Sequence, residues 1–120
     1  MQSSSIPKPT TRQIRRWQRM QELGCVASIL DGVLGVPGEI HHLLSGGRRI
    51  SHNHTVCLSP WHHRGIVPEG RTASDYEHIH GPSLALKPNA FRRRYGDNEE
   101  LLAIQDALLD HYVETIGVQM

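Results

Sequence analysis

EIHHLLSGGRRISHNHTVCLSPWHHRG, residues 39–65, is the stretch on which the reading of this chain turns. Eight of the nine histidines lie between His41 and His80, and two adjacent pairs frame a loop that holds His52 and His54. Imidazole ligates divalent metals and accepts a proton near neutral pH, so a cluster of this density is a candidate site. The first pair sits in an apolar run from Ile40 to Leu44 that predicts a short strand. Neighbouring side chains on a strand point to opposite faces, so His41 and His42 are expected to do different jobs. The loop Ser45-Gly-Gly-Arg-Arg49 separates this strand from a second, Thr55 to Leu58. Ser59-Pro60 then supplies an N-cap and a proline for the first helical turn, which puts His62 and His63 at the start of a helix.

Working outward, Thr10 and Gln13 have the spacing of a capping box and open a helix expected to run to about Leu23 and stop at Gly24. Ile14, Trp17, Met20 and Leu23 share one face, and arginines take most of the rest. That basic side is either solvated or in contact with phosphate. Residues 1–9 read as a flexible basic leader. After Cys25 to Ser28, a glycine-rich run through Gly38 predicts a loop or hairpin turn. On the other side, Pro68 and Gly70 mark an irregular excursion from Gly65 to Asp75, and a further ordered stretch begins at His78. Asn89 is placed to cap a short helix with Phe91 and Arg92-Arg93-Arg94, closed by Gly96. Asp97 and Glu100 open a last helix, to about Ile116, with Leu101, Leu102, Ile104, Leu108, Leu109 and Val113 as its apolar residues.

A chain of 120 residues fits one domain with one modest core. Two cysteines and no signal-like segment imply a reducing, cytoplasmic setting, and no run is long enough to span a bilayer. The net charge of +1 hides a polarity: residues 1–21 carry five basic side chains and no acid, and no lysine or arginine follows Arg94. Such a chain suggests a basic face for a polyanion and a separate solvated acidic helix.

Histidines on a strand, then a hairpin and a histidine-rich helix, resemble the HNH (His-Me finger) nucleases. More specifically, Gly24-Cys-Val-Ala-Ser28, Ile40-His-His-Leu43, Cys57-Leu-Ser-Pro-Trp-His-His-Arg-Gly65 and Phe91-Arg-Arg-Arg-Tyr-Gly96 with Leu101-Leu102 resemble the phage recombination-enhancement nucleases. The tandem covers most of residues 23–102. The resemblance implies a divalent-metal-dependent DNA endonuclease whose activity depends on RecA filaments, acting in the cytoplasm of a bacterial host if phage-encoded. It also implies His41 and His63 as metal ligands and His42 as general base. The middle position of the motif falls on or near His54, with His52 a second fit, and either would orient the base or the scissile phosphate. The third ligand stays open, with His78 and His80 as candidates. The metal is Mg2+, Mn2+ or Zn2+.

Many relatives carry a structural zinc site at positions that here read Cys25, Ser28, Ser59 and His62. Hydroxyls are poor zinc ligands, so the resemblance implies either a degenerate site of which Cys25 and His62 remain, or one in which Cys57 and another histidine compensate. Arg48, Arg49, Arg64, Arg92, Arg93 and Arg94 are the expected DNA-binding groups, contacting phosphates rather than reading bases. The expectation is therefore a single small α+β domain, residues 10–120, with a ββα-metal finger at about 39–65 and flanking helices. The competing readings are an inactive DNA-binding or recombination-accessory protein and a zinc-stabilised interaction module.

Overall fold

The computed structural model describes residues 6–45 and 47–119, without the side chains of residues 45 and 113–119. The expected leader lies in part outside it, in residues 1–5. Helix α1, Thr11–Leu23, starts at the anticipated capping box: the Thr10 hydroxyl accepts from the Gln13 N–H while the Gln13 side chain accepts from the Thr10 N–H. It stops at Gly24, whose φ of 94° no side chain adopts easily and where a Cβ would meet the Val36 carbonyl at 2.8 Å. Cys25 begins a turn of helix, α2 (Val26–Leu30), in a stretch to which the sequence assigned no element. The glycine-rich run follows it as a connection.

Strand β1 (Glu39–His42) pairs antiparallel with β4 (Thr55–Leu58), aligning His41 with Val56 and His42 with Thr55. A second, smaller hairpin of β2 (Leu44–Ser45) and β3 (Arg48–Arg49) sits at the tip of the connection. Helix α3 (Pro60–Arg64) follows β4 directly, its first turn capped by the Ser59 hydroxyl and its end closed by Gly65 in the left-handed region. Strand, loop, strand and helix thus come in the expected order.

Three further helices complete the fold. The region read as an irregular excursion ends in helix α4 (Ala73–His80), capped by Thr72 accepting from Asp75 N–H. Helix α5 (Pro88–Tyr95) begins with proline in its first turn, one residue ahead of the anticipated Asn89 cap, and ends at Gly96 as expected. Helix α6 (Asn98–Gln119) opens on the Asp97–Glu100 box, with both reciprocal hydrogen bonds formed. Among the described residues no helix is long and apolar enough to cross a membrane.

All four β4 residues are buried, and the strand's alternation divides the interior in two. Val56 and Leu58 face the larger core, built from Cys25, Val26, Ala27, Phe91, Tyr95 and Leu101. Cys57 faces the smaller one with Met20 and Leu109, against which Trp17, Leu23 and Ile40 pack. Because Ile40 pairs with Cys57 and His42 with Thr55, the even residues of β1 turn toward α1. Glu39 and His41 turn the other way. The outer edge of β4 needs a partner for its backbone, and α6 supplies one: Gln105, fully buried, accepts from the Cys57 N–H at 2.9 Å. Arg16 ties the helices together, donating to the Thr55 carbonyl at 2.9 Å and to Asp106 at 2.7 Å.

Candidate functional site

The face of β1 that carries Glu39 and His41 meets the second turn side of α3. The rings of His41 and His63 stand 4.6 Å apart, edge to face. Burial pushes the His41 imidazole down to about 4, with His63 and His42 adding to the effect, so this ring is neutral at physiological pH. His63 donates its Nδ1–H to the Glu39 carboxylate at 2.9 Å, so Nε2 is the nitrogen left for another partner. Hydrogen bonding from Arg64 holds Glu39 below the usual carboxylate range, with His63 contributing, so the acceptor is ionised. A carboxylate behind a histidine is the arrangement that orients an imidazole toward a metal and raises its basicity. On the chemistry of the donors, two imidazoles with one of them carboxylate-backed, His41 and His63 fit a divalent cation. Among the described residues no group of three or more histidine, cysteine, aspartate or glutamate side chains is gathered as a ligand set. Glu39 was missing from the sequence reading. Its signal was available, because i and i+2 on a strand share a face.

His42 has a different set of neighbours. Its Nε2 lies 3.0 Å from Nδ1 of His52, whose Nε2 lies 2.6 Å from the backbone carbonyl of Pro7. Trp17 stands edge-on to both rings, at 5.7 Å from His42 and 5.2 Å from His52. The Trp17 indole N–H also donates to the His52 carbonyl at 3.1 Å, so α1 fixes the backbone as well as the ring. Burial lowers the basicity of His42, and the nearby Arg49 charge lowers it further.

A third cluster lies at the expected zinc positions. Cys25, Ser28, Ser59 and His62 are all buried. His62 donates Nε2–H to the His80 carbonyl at 2.8 Å, which leaves its Nδ1 facing the other two elements of the cluster. The Ser59 hydroxyl at 2.9 Å and the Cys25 thiol at 3.4 Å both reach that nitrogen. Burial opposes ionisation of Cys25, but hydrogen bonding and charge from His62, with help from Ser28, bring its thiol down to about 7. Two hydroxyls in a set of four do not fit a structural zinc, and hydrogen bonds join the elements instead. The four positions do converge.

The other candidates are spread out. His54 lines a cavity of about 390 Å³ with Leu43, Ile50, Asn98, Glu99 and Asp106, and its Nδ1 is buried without a partner among the described residues. The ring against His42 is that of His52. His80 is exposed on α4, its ring against Tyr76, and His78 lines a separate cleft with Glu77 and Lys87. Of the six candidate arginines, Arg64 is paired with Glu39, and Arg94 with Asp31 at 3.1 Å. Arg48, Arg49, Arg92 and Arg93 are exposed and have no ion-pair partner among the described residues.

The family model described as "Recombination enhancement, RecA-dependent nuclease" matches residues 9–110. That span takes in everything from the capping box of α1 to the apolar half of α6. No curated protein matches the chain.

Proposed function

From a chain that belongs to the recombination-enhancement, RecA-dependent nuclease family, we propose a metal-dependent DNA endonuclease of the HNH type. In this reading β1, β4 and α3 form a ββα-metal finger that hydrolyses phosphodiester bonds with little sequence specificity. One observation carries it: adjacent histidines on β1 have separate partners, His41 paired with His63 and His42 paired with His52. That division supports one histidine holding a cation while its neighbour handles a proton.

His41 and His63 would hold the cation, Mg2+, Mn2+ or Zn2+, with Glu39 steadying His63. When bound, the cation supplies the positive charge that stabilises the oxygen leaving phosphorus. His42 accepts the proton of the attacking water as its oxygen bonds to phosphorus and the bond to the leaving sugar oxygen breaks. In this reading His52 positions His42, and His54, which lines the cavity beside α6, is given no step. Exposed Arg48, Arg49, Arg92 and Arg93 offer phosphate contacts. A RecA-type filament on DNA is the partner that the family's description brings to this chain.

The test is cleavage of plasmid and single-stranded DNA in EDTA, Mg2+, Mn2+ and Zn2+, with and without a recombinase filament. Metal-dependent cutting abolished by EDTA is the expected result. DNA binding without cutting under every condition would leave an accessory protein in place of the enzyme.

A further inference from the structure

We infer that the amino-terminal segment is a working part of the site: the Pro7 carbonyl, acting through His52, sets which nitrogen of His42 carries the proton. The inference rests on the reading of His42 as the base, and extends it to a segment that would otherwise be a leader.

The reasoning follows the polarity of three groups in line. A hydrogen bond between two uncharged imidazoles can run either way, since each ring has one N–H and one lone pair. Taken alone, the 3.0 Å contact between His42 and His52 is therefore ambiguous. The Pro7 carbonyl removes the ambiguity because an oxygen of this kind can only accept. His52 must present Nε2–H to it, across 2.6 Å. The lone pair of His52 then lies on Nδ1, and His42 must donate Nε2–H to it. What remains free on His42 is the Nδ1 lone pair, on the other side of the ring. With the opposite polarity Nδ1 would carry a proton and the Nε2 lone pair would be tied up by His52, leaving no free base.

The surroundings make this a built arrangement. Trp17 packs against the edges of both rings and holds the His52 backbone, which restricts rotation of either imidazole. Ile6, Pro7 and Lys8 share a cleft of about 200 Å³ with Ile50, Ser51 and His52. Thr10 and Gln13 anchor the segment a few residues on, through the capping box. Pro7 and His52 are 45 positions apart in the chain. Any event that lifts residues 6–9 from this cleft returns His42 to a mixture of tautomers.

Long-range proton–nitrogen correlation spectra of the histidine rings report tautomers directly, and His42→Gln identifies the His42 signals. In the full chain His42 should carry its proton on Nε2. His52→Gln keeps an acceptor for His42 and a donor for Pro7, so the His42 proton should stay on Nε2 and kcat should fall less than in the phenylalanine variant. His52→Phe keeps a flat ring and removes both hydrogen bonds. It should mix the tautomers and lower kcat about 10–100-fold, the range for partners that orient a functional histidine, without moving KM or metal affinity. Removing residues 1–8 should do the same, whereas removing residues 1–5 should not. Melting curves establish that each variant is folded, and the 1–8 truncation decides if His52→Phe is not. A His42 proton on Nδ1 in the full chain would overturn the inference, as would an unaltered tautomer and kcat after removal of residues 1–8. If no DNA is cut under any condition, the nuclease reading falls and the ring spectra still decide the relay.

Discussion

Glu39 offers the sharpest test of the proposed cation site. Its carboxylate accepts from His63 at 2.9 Å and from the Arg64 Nε–H at 2.9 Å, and nothing else among the described residues orients the His63 ring through hydrogen bonding. Loss of an outer partner to a metal-binding histidine costs about 10–100-fold in affinity, or about 1.4–2.7 kcal/mol. The Glu39 side chain is 30% exposed and that of His63 24%, so solvent screens the pair and the lower end of the range applies. Glu39→Ala should therefore weaken Mn2+ or Zn2+ binding about tenfold in calorimetric titration. Glu39→Gln retains an oxygen for the His63 N–H and should lose less. Arg64→Ala leaves the Glu39–His63 bond in place and should change affinity least of the three. Unaltered binding in Glu39→Ala would refute the positioning role. A Glu39→Gln variant as deficient as His63→Ala would make Glu39 a ligand in its own right.

His42→Ala should lose 10²–10⁴-fold in cleavage rate with metal content and DNA affinity near normal, whereas His41→Ala and His63→Ala should lose metal and activity together and recover partly in excess metal. Because burial and Arg49 hold His42 below the ordinary imidazole value, the neutral base persists in mild acid. A rate profile should accordingly have its midpoint below the ordinary imidazole value of about 6.5; a midpoint above that value would exclude His42 as the titrating group. Arg92→Gln and Arg93→Gln should each reduce the salt slope of duplex binding by up to about 0.9 per lost contact. Arg94→Gln, whose side chain is tied to Asp31 and close to Tyr95, should lower the melting temperature more than the slope. The unaltered chain should retain less than one zinc per molecule, and Ser28→Cys with Ser59→Cys should raise zinc content and melting temperature together, since metal binding is coupled to folding; a full equivalent of zinc before substitution would show that serines do not disable the cluster.

Where local chemistry decides the backbone, the sequence was legible. The Thr10–Gln13 and Asp97–Glu100 boxes, the Ser59-Pro60 start and the stops at Gly24 and Gly96 all lie within one turn of the residues they control. Strand β4 was legible for a related reason, a short apolar run bounded by loop residues. Helix α2 was not, because Cys25 makes no side-chain cap and the short helix is held by the core around Val26 and Ala27. Helix α4 carried a usable signal in Thr72 and Asp75, obscured by the proline and glycine just before it. The choice between His52 and His54 could not be made from spacing. The Leu43 N–H bonds the His54 carbonyl, which continues the ladder beyond His42 and carries the His54 ring toward α6, while a turn brings His52 back against His42.

The two faces of β1 explain why the chain needs elements beyond the strand pair and its helix. On one face, His41 and His63 are brought together within the stretch 39–65, and Glu39 from the same stretch backs His63. That half of the site is local. On the other face, His42 meets only a second imidazole of ambiguous polarity from the hairpin itself, and everything that fixes the pair comes from outside: Trp17 from α1 and Pro7 from the segment before it. Arg16 completes the attachment by bonding the Thr55 carbonyl, the residue that pairs with His42, and by reaching Asp106 on α6. A basic helix that could have been spent wholly on phosphate thus commits Arg16 and Trp17 to holding His42 and the residues around it. Cation binding is therefore expected to survive changes in α1 that abolish proper placement of His42, because the two faces of one strand are supported by different parts of the chain.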